Sequence, residues 1–141
     1  MKKKVLVSAC LLGKNCRYNG EHSRISKLDE LDVDFIPVCP EEEGELGTPR
    51  LAAEMQGSPE NILKGNARIL TTDGHDVTKQ FIQGAKKSLE AGLTSGTEVA
   101  ILKSHSPSCG VGEIYDGTFS HSLIDGNGIF SHLCRESGIT C

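Results

Sequence analysis

Apolar positions along the chain gather into four short runs and one long helical repeat. The runs cover residues 5–7, ending in Ser8-Ala9-Cys10; 33–38, interrupted by Asp34 and ending at Cys39-Pro40; 68–71, the weakest; and 99–102, ending at Lys103-Ser104. Short, nearly continuous apolar runs rich in β-branched residues suit strands covered on both faces, as in a parallel sheet. The helical repeat places Val77, Phe81, Ala85, Leu89 and Leu93 four residues apart, with Ile82 beside them and Lys79, Gln83, Lys86, Lys87 and Glu90 elsewhere. That pattern predicts one amphipathic helix, capped by Asp76 and stopped by Gly92 and Gly96. Shorter helices are expected over 25–31 and 128–137. The stretches 41–59 and 104–117, rich in proline and glycine, read as long functional loops, the second ending in the turn Asp116-Gly117.

Strands alternating with helical segments predict an α/β fold: a single domain over 1–141, with a mainly parallel sheet flanked by helices in a Rossmann-like arrangement. No internal repeat, low-complexity tract or linker divides it. Composition narrows the function classes. Hydrophobic residues make up 37% of the 141, enough for a modest core. No apolar run approaches the roughly 20 residues of a spanning helix, and residues 5–7 are too few for a signal-peptide core. A cytoplasmic protein without a membrane partner is therefore expected. The formal charge is −4 and the basic residues are scattered, which argues against a nucleic acid polymer as partner.

Six cysteines, at 10, 16, 39, 109, 134 and 141, are many for so short a chain. In a reducing compartment such thiols bind metal, react, or fill core space. Cys10, Cys39 and Cys109 each follow a predicted strand and have glycine or proline close by. Carboxyl ends of parallel strands share one edge, where ligands bind, so three thiols distant in sequence are expected to converge there. Convergent thiolates suit zinc or an iron–sulfur cluster, yet no Cys-x-x-Cys pair marks a zinc knuckle. A nucleophilic cysteine beside His105 or His22 is the reactive alternative. Cys134, among Ile129, Phe130 and Leu133, reads as core, and Cys141 as incidental.

Five strings carry a further signal: Val-Ser-Ala-Cys-Leu-Leu-Gly with Cys-Arg-Tyr-Asn-Gly; Pro-Val-Cys-Pro-Glu with Thr-Pro-Arg; Gly-His-Asp-Val-Thr; Ile-Leu-Lys-Ser-His-Ser-Pro-Ser-Cys-Gly; and Ile-Tyr-Asp-Gly-Thr-Phe-Ser. In that order, over residues 5–138, the chain resembles the thiouracil desulfidase-like family, domain of unknown function family number 523. The resemblance implies an oxygen-sensitive 4Fe-4S cluster held by three cysteines, its fourth iron open to the sulfur of a small thiolated substrate. The residues matching the family motifs are Cys10, Cys39 and Cys109; Cys16 also matches a family position and stands as an alternative ligand. Asn19 occupies a position where the family commonly has Asp, and Glu43 and Glu45 make the Cys39 loop unusually acidic.

Water attack at the carbon bearing sulfur needs a base. Glu41, two residues after Cys39, is the first candidate and Glu45 the second. Ser104 and Ser108 are candidates for orienting water or substrate, and the Ser8 hydroxyl for a bond to cluster sulfide. Arg50 is a candidate for a salt bridge or an anionic substrate group, and Lys103 and Arg17 for positive potential beside an anionic cluster. The loop of Asp116, Thr118 and Ser120 either closes the site or is a plain turn. His75, His121 and His132 carry no functional signal. Two other classes remain open, a metal- or sulfur-compound-binding module without turnover and a cluster-free cysteine hydrolase. Oligomeric state is not encoded in any recognisable pattern.

Overall fold

The computed structural model describes residues 2–141. In chain order the elements are β1 (Lys3–Ser8), a 3-10 turn (Ala9–Leu12), a second (Ser26–Glu30), β2 (Val33–Val38), α1 (Pro40–Glu43), β3 (Ala53–Met55), α2 (Pro59–Leu63), β4 (Ile69–Thr71), α3 (Thr78–Thr94), β5 (Val99–Ile101), β6 (Glu113–Tyr115), β7 (Leu123–Asp125) and α4 (Ile129–Glu136). The mixed α/β class is as expected. β1 lies at the centre of a three-stranded parallel sheet ordered β2-β1-β5. Its register runs from Lys3 opposite Val33 to Ser8 opposite Val38 on one side, and from Val5 opposite Val99 to Val7 opposite Ile101 on the other. The chain thus leaves β1 towards one neighbour and later returns to the other, which makes the carboxyl end of β1 a topological switch point.

Strand alternation divides the interior. Leu6 joins the larger core with Phe81, Phe130, Ile129, Ile69, Ile62 and Cys134, while Val7 joins a smaller one with Ala9, Cys10, Leu11, Cys16 and Leu28. The free edge of β5 is covered: Ala100 N–H donates to Thr140 O (2.8 Å) and Thr140 N–H to Glu98 O (2.9 Å). Among the described residues no helix is long and apolar enough to cross a membrane.

Three local expectations are corrected. The third apolar run does not enter the parallel sheet; as β4 it pairs antiparallel with β3, which lies in the predicted 41–59 loop. That loop also holds α1, and the 104–117 loop holds β6, paired antiparallel with β7. Short strands in glycine-rich surroundings give too few alternations to register as periodic. The helix α3 starts at Thr78, with Val77 at the cap position, and the Asp76 carboxylate accepts from Thr78 N–H (2.9 Å) and its hydroxyl (2.6 Å). Its buried face is Phe81, Gly84, Ala85, Ser88 and Gly92, and Leu93 is 49% exposed. A strict four-residue repeat drifts by about 40° per step on a helix of 3.6 residues per turn, which carries Leu93 away from the core.

α3 packs on α1 through two glycines. A Cβ at Gly84 would lie 1.7 Å from Pro40 O, and one at Gly44 would lie 2.1 Å from Gln80 O. This close approach fixes α1, and with it the segment carrying Cys39 and Glu41.

Candidate active site

Beyond the carboxyl ends of β1, β2 and β5 lies a cavity of about 200 Å³ whose wall includes Cys10, Cys16, Cys39 and Cys109. The turn after β1 presents Cys10; Gly13, at φ 102°, closes it with its N–H on Cys10 O (3.2 Å). Cys39 stands between β2 and α1, where its carbonyl accepts from Glu43 N–H (2.9 Å). The loop after β5 is drawn tight by Ser106, whose hydroxyl oxygen accepts from both Ser108 N–H and Cys109 N–H (each 3.1 Å). Strand-end geometry thus brings the three predicted thiols to one cavity, and Cys16 with them.

The thiols are ordered electrostatically. The Cys39 thiol donates to Cys16 O (3.7 Å), and the Cys10, Cys16 and Cys39 thiols shift one another's acidity. Interaction with Cys16 lowers the Cys10 pKa, while interaction with Cys10 pushes Cys16 up to about 11. Cys39 is raised first by its interaction with the Cys16 thiol, then by burial; Cys109 is raised by burial, partly offset by the Ser8 hydroxyl. Ser8 also accepts from Lys103 N–H (2.8 Å), stitching β1 to the loop after β5. Buried thiols raised in this way stay protonated near neutrality unless a metal ionises them. Among the described residues no three His, Cys, Asp or Glu side chains gather tightly enough to hold a single metal ion. Soft donors rimming an open volume fit a polynuclear iron–sulfur centre better than one ion.

Glu41 lines the same cavity and pairs with Arg50, its Oε2 lying 3.3 Å from Nη2. Burial raises the Glu41 pKa, and Arg50 moderates the rise. Arg50 also donates to Cys16 O (2.9 Å) and Gly47 O (2.8 Å), so one guanidinium ties together the Cys16 loop and the base. Its Nε, buried, has no protein partner. Ser104, Lys103 and Arg17 line the cavity. Ser108 is fully buried outside the lining, its hydroxyl unpartnered, and Glu45 is exposed beyond it. Cys134 is buried in the main core and Cys141 is exposed.

The Asp116 loop is a turn: the carboxylate accepts from Thr118 N–H (2.9 Å) and its hydroxyl (2.6 Å). The residues flanking it, Tyr115 and His121, reach the cavity, as do Glu54 and His105. His121 and Glu54 escaped the sequence reading. Neither sits near a cysteine, and the only available cue was their closeness to the Ile-Tyr-Asp-Gly motif and to the Thr-Pro-Arg string. His75 pairs with Asp73 (2.8 Å), and His132 with Glu136 (3.2 Å), away from this cavity.

Fold and cavity together define an α/β protein with a thiol-lined pocket at its sheet's switch point. The 2-thiouracil desulfurase family model matches residues 5–141, and the chain belongs to that family. The uncharacterized protein YbbK of Bacillus subtilis (strain 168) is 42% identical over 137 residues, covering 95% of this chain and 91% of the relative. A solved structure, the 4Fe-4S-dependent thiouracil desulfidase TudS, is similar with a TM-score of 0.88 and 40% identity, covering 99% of this chain and 89% of that one.

Proposed function

We propose that this chain is an iron–sulfur-dependent desulfidase that removes sulfur from thiolated nucleobases of the 2-thiouracil type, or related small thio-compounds. The overall change is hydrolytic: the thiocarbonyl carbon exchanges sulfur for the oxygen of water, and hydrosulfide and a proton leave. The carrying observation is the meeting of four thiols from three strand ends on one cavity that also contains the partly buried Glu41 carboxylate. The likeness to TudS, a 4Fe-4S-dependent thiouracil desulfidase, supports this assignment.

In this reading Cys10, Cys39 and Cys109 hold the 4Fe-4S cluster, with Cys16 beside them as the alternative ligand. When bound, the cluster supplies a Lewis-acidic iron with an open position for the substrate sulfur. Glu41 accepts a proton from the attacking water, and burial keeps its basicity high. Arg50 holds that carboxylate in place through the 3.3 Å pair. Ser104 orients water or a ring group. Lys103 and Arg17 offset the negative charge of the thiolates. The reading includes a cytoplasmic setting, in which free thiols stay reduced, and a small-molecule partner rather than a nucleic acid polymer.

Reconstitution with iron and sulfide without air is expected to give a brown protein that releases hydrosulfide from 2-thiouracil. A colourless, iron-free product overturns the assignment. The lowered Cys10 thiol favours one rival, a cluster-free cysteine hydrolase. That rival requires activity in metal-free protein, abolished by iodoacetamide at one cysteine. Iron-bound protein that holds thio-compounds without releasing hydrosulfide marks a binding module instead.

A further inference from the structure

The cavity has a second chemical character besides its thiols: part of its wall is aromatic. The chain has two tyrosines and no tryptophan, and both tyrosines, Tyr18 and Tyr115, line this cavity together with two of the five histidines. The rings of His105 and Tyr115 lie 5.8 Å apart and tilted by 58°; those of Tyr115 and His121 lie 5.8 Å apart at 81°. Such tilted and edge-on contacts are favourable ring geometries, and here three rings form one continuous row.

This row is assembled from distant segments and held. His105 pairs in parallel with Ile114 through an isolated bridge. The tip of the β6–β7 hairpin is anchored to buried Glu54, whose Oε1 accepts from Gly117 N–H (2.9 Å) and Phe119 N–H (3.3 Å). The Gln56 side chain donates to Gly117 O (3.0 Å). His105 and His121 both have positive φ, 64° and 61°, a region that non-glycine residues adopt at a cost. Strain of that kind persists only where surrounding structure imposes it.

From this arrangement we infer that the His105–Tyr115–His121 row is the recognition surface for the flat ring of the substrate. Resting on the desulfidase reading, it makes the enzyme selective for thiocarbonyls within planar heterocycles over acyclic ones with the same reacting group. Every heterocyclic base has a π face that stacks on aromatic side chains whatever its substituents. Thiourea offers the same C=S bond and no ring to stack. Tyr115, the ring shared by both pairs, is the centre of the surface and the main determinant of specificity.

The test uses full-length, cluster-loaded protein, with 2-thiouracil and thiourea as substrates and uracil as a non-reacting ring. Tyr115→Leu is expected to raise KM for 2-thiouracil on the order of tenfold, the scale of base–aromatic stacking, with kcat little changed. Calorimetry is expected to show uracil binding weakened by a similar factor at unchanged iron content. Tyr115→Phe keeps the ring and is expected to recover most of the affinity. His121→Ala, at an exposed position, gives a smaller loss in the same direction. Thiourea is expected to be a poor substrate whose kcat/KM is insensitive to Tyr115→Leu. Unchanged KM and uracil affinity in iron-replete Tyr115→Leu overturn the inference, as does thiourea turnover matching that of 2-thiouracil. If the loaded protein binds uracil in a Tyr115-dependent way yet releases no hydrosulfide, ring recognition stands and the desulfidase reading falls.

Discussion

Replacing Gly84 with alanine puts helix propensity and packing in direct opposition. In an exposed helix interior, Gly→Ala stabilises by about 1 kcal/mol, because alanine loses less backbone entropy. At Gly84 the added Cβ would lie 1.7 Å from Pro40 O and 2.7 Å from Gly44 N. Real Cβ atoms essentially never come within 3.0 Å of a neighbour, so the nearer contact is about 1.3 Å too short. The obstacle is backbone and cannot swing aside, so α1 must retreat from α3. Overpacking of this kind costs about 1–3 kcal/mol, enough to cancel the propensity gain and leave a net loss of up to about 2 kcal/mol. The displacement also moves Cys39 and Glu41. A misplacement of about 1 Å at a reacting centre can cost on the order of a hundredfold in rate.

Chemical denaturation, iron per chain after reconstitution, and the rate of hydrosulfide release measure the three effects separately. Gly84→Ala is expected to lower all three. Gly92→Ala is the comparison, because the obstacle there is the Leu6 side chain, at 2.5 Å, and not the backbone of α1; it is expected to cost stability in the core while leaving iron and rate intact. A Gly84→Ala protein that is more stable by about 1 kcal/mol, with iron and rate intact, would refute the argument that this helix contact sets the site.

Cys39→Ala and Cys109→Ala are expected to abolish iron retention and Cys134→Ala to preserve it; equal iron in all three proteins breaks the ligand assignment. Arg50→Gln removes the positive charge that opposes the burial-driven rise of the Glu41 pKa. Its carboxylate then ionises at higher pH, so the acid limb of the kcat/KM profile should move up and alkaline buffer should recover part of the rate; an unshifted limb rules Glu41 out as the titrating base. Phe81→Ala, at a side chain only 1% exposed, should cost about 3–5 kcal/mol in urea unfolding, and a loss below 1 kcal/mol would contradict its place in the core.

The sequence revealed the parts whose cause is local or repetitive. Apolar runs located β1, β2 and β5, and the rule that ligands bind at parallel strand ends brought Cys10, Cys39 and Cys109 together before any coordinates. Cys134 was equally readable, because its neighbours on α4 are apolar at helical spacing. The antiparallel ribbons were hidden: β4 was legible as an apolar run but not its antiparallel pairing, and its partner β3, three residues long, is too short for alternation to emerge. Leu93 misled because a repeat of four only approximates the helical period. Arg50 was visible as a cation, but its tie to Cys16 O spans 34 positions, a contact that depends on loop path. The positive φ of His105 and His121 is a tertiary imposition on residues with no strong preference for it, so the aromatic row had no trace in composition.

Placing β1 between β2 and β5 also dictates when the site can exist during synthesis. Cys10 and Cys109 are separated by roughly a hundred residues, and β1 cannot pair with β5 until the ribosome has released most of the chain. At about 5–20 residues per second, the amino-terminal thiols wait on the order of ten seconds for their distant partner. On the proposed reading, iron delivered earlier would meet an unfinished nascent chain, so loading would follow the docking of β5 beside β1.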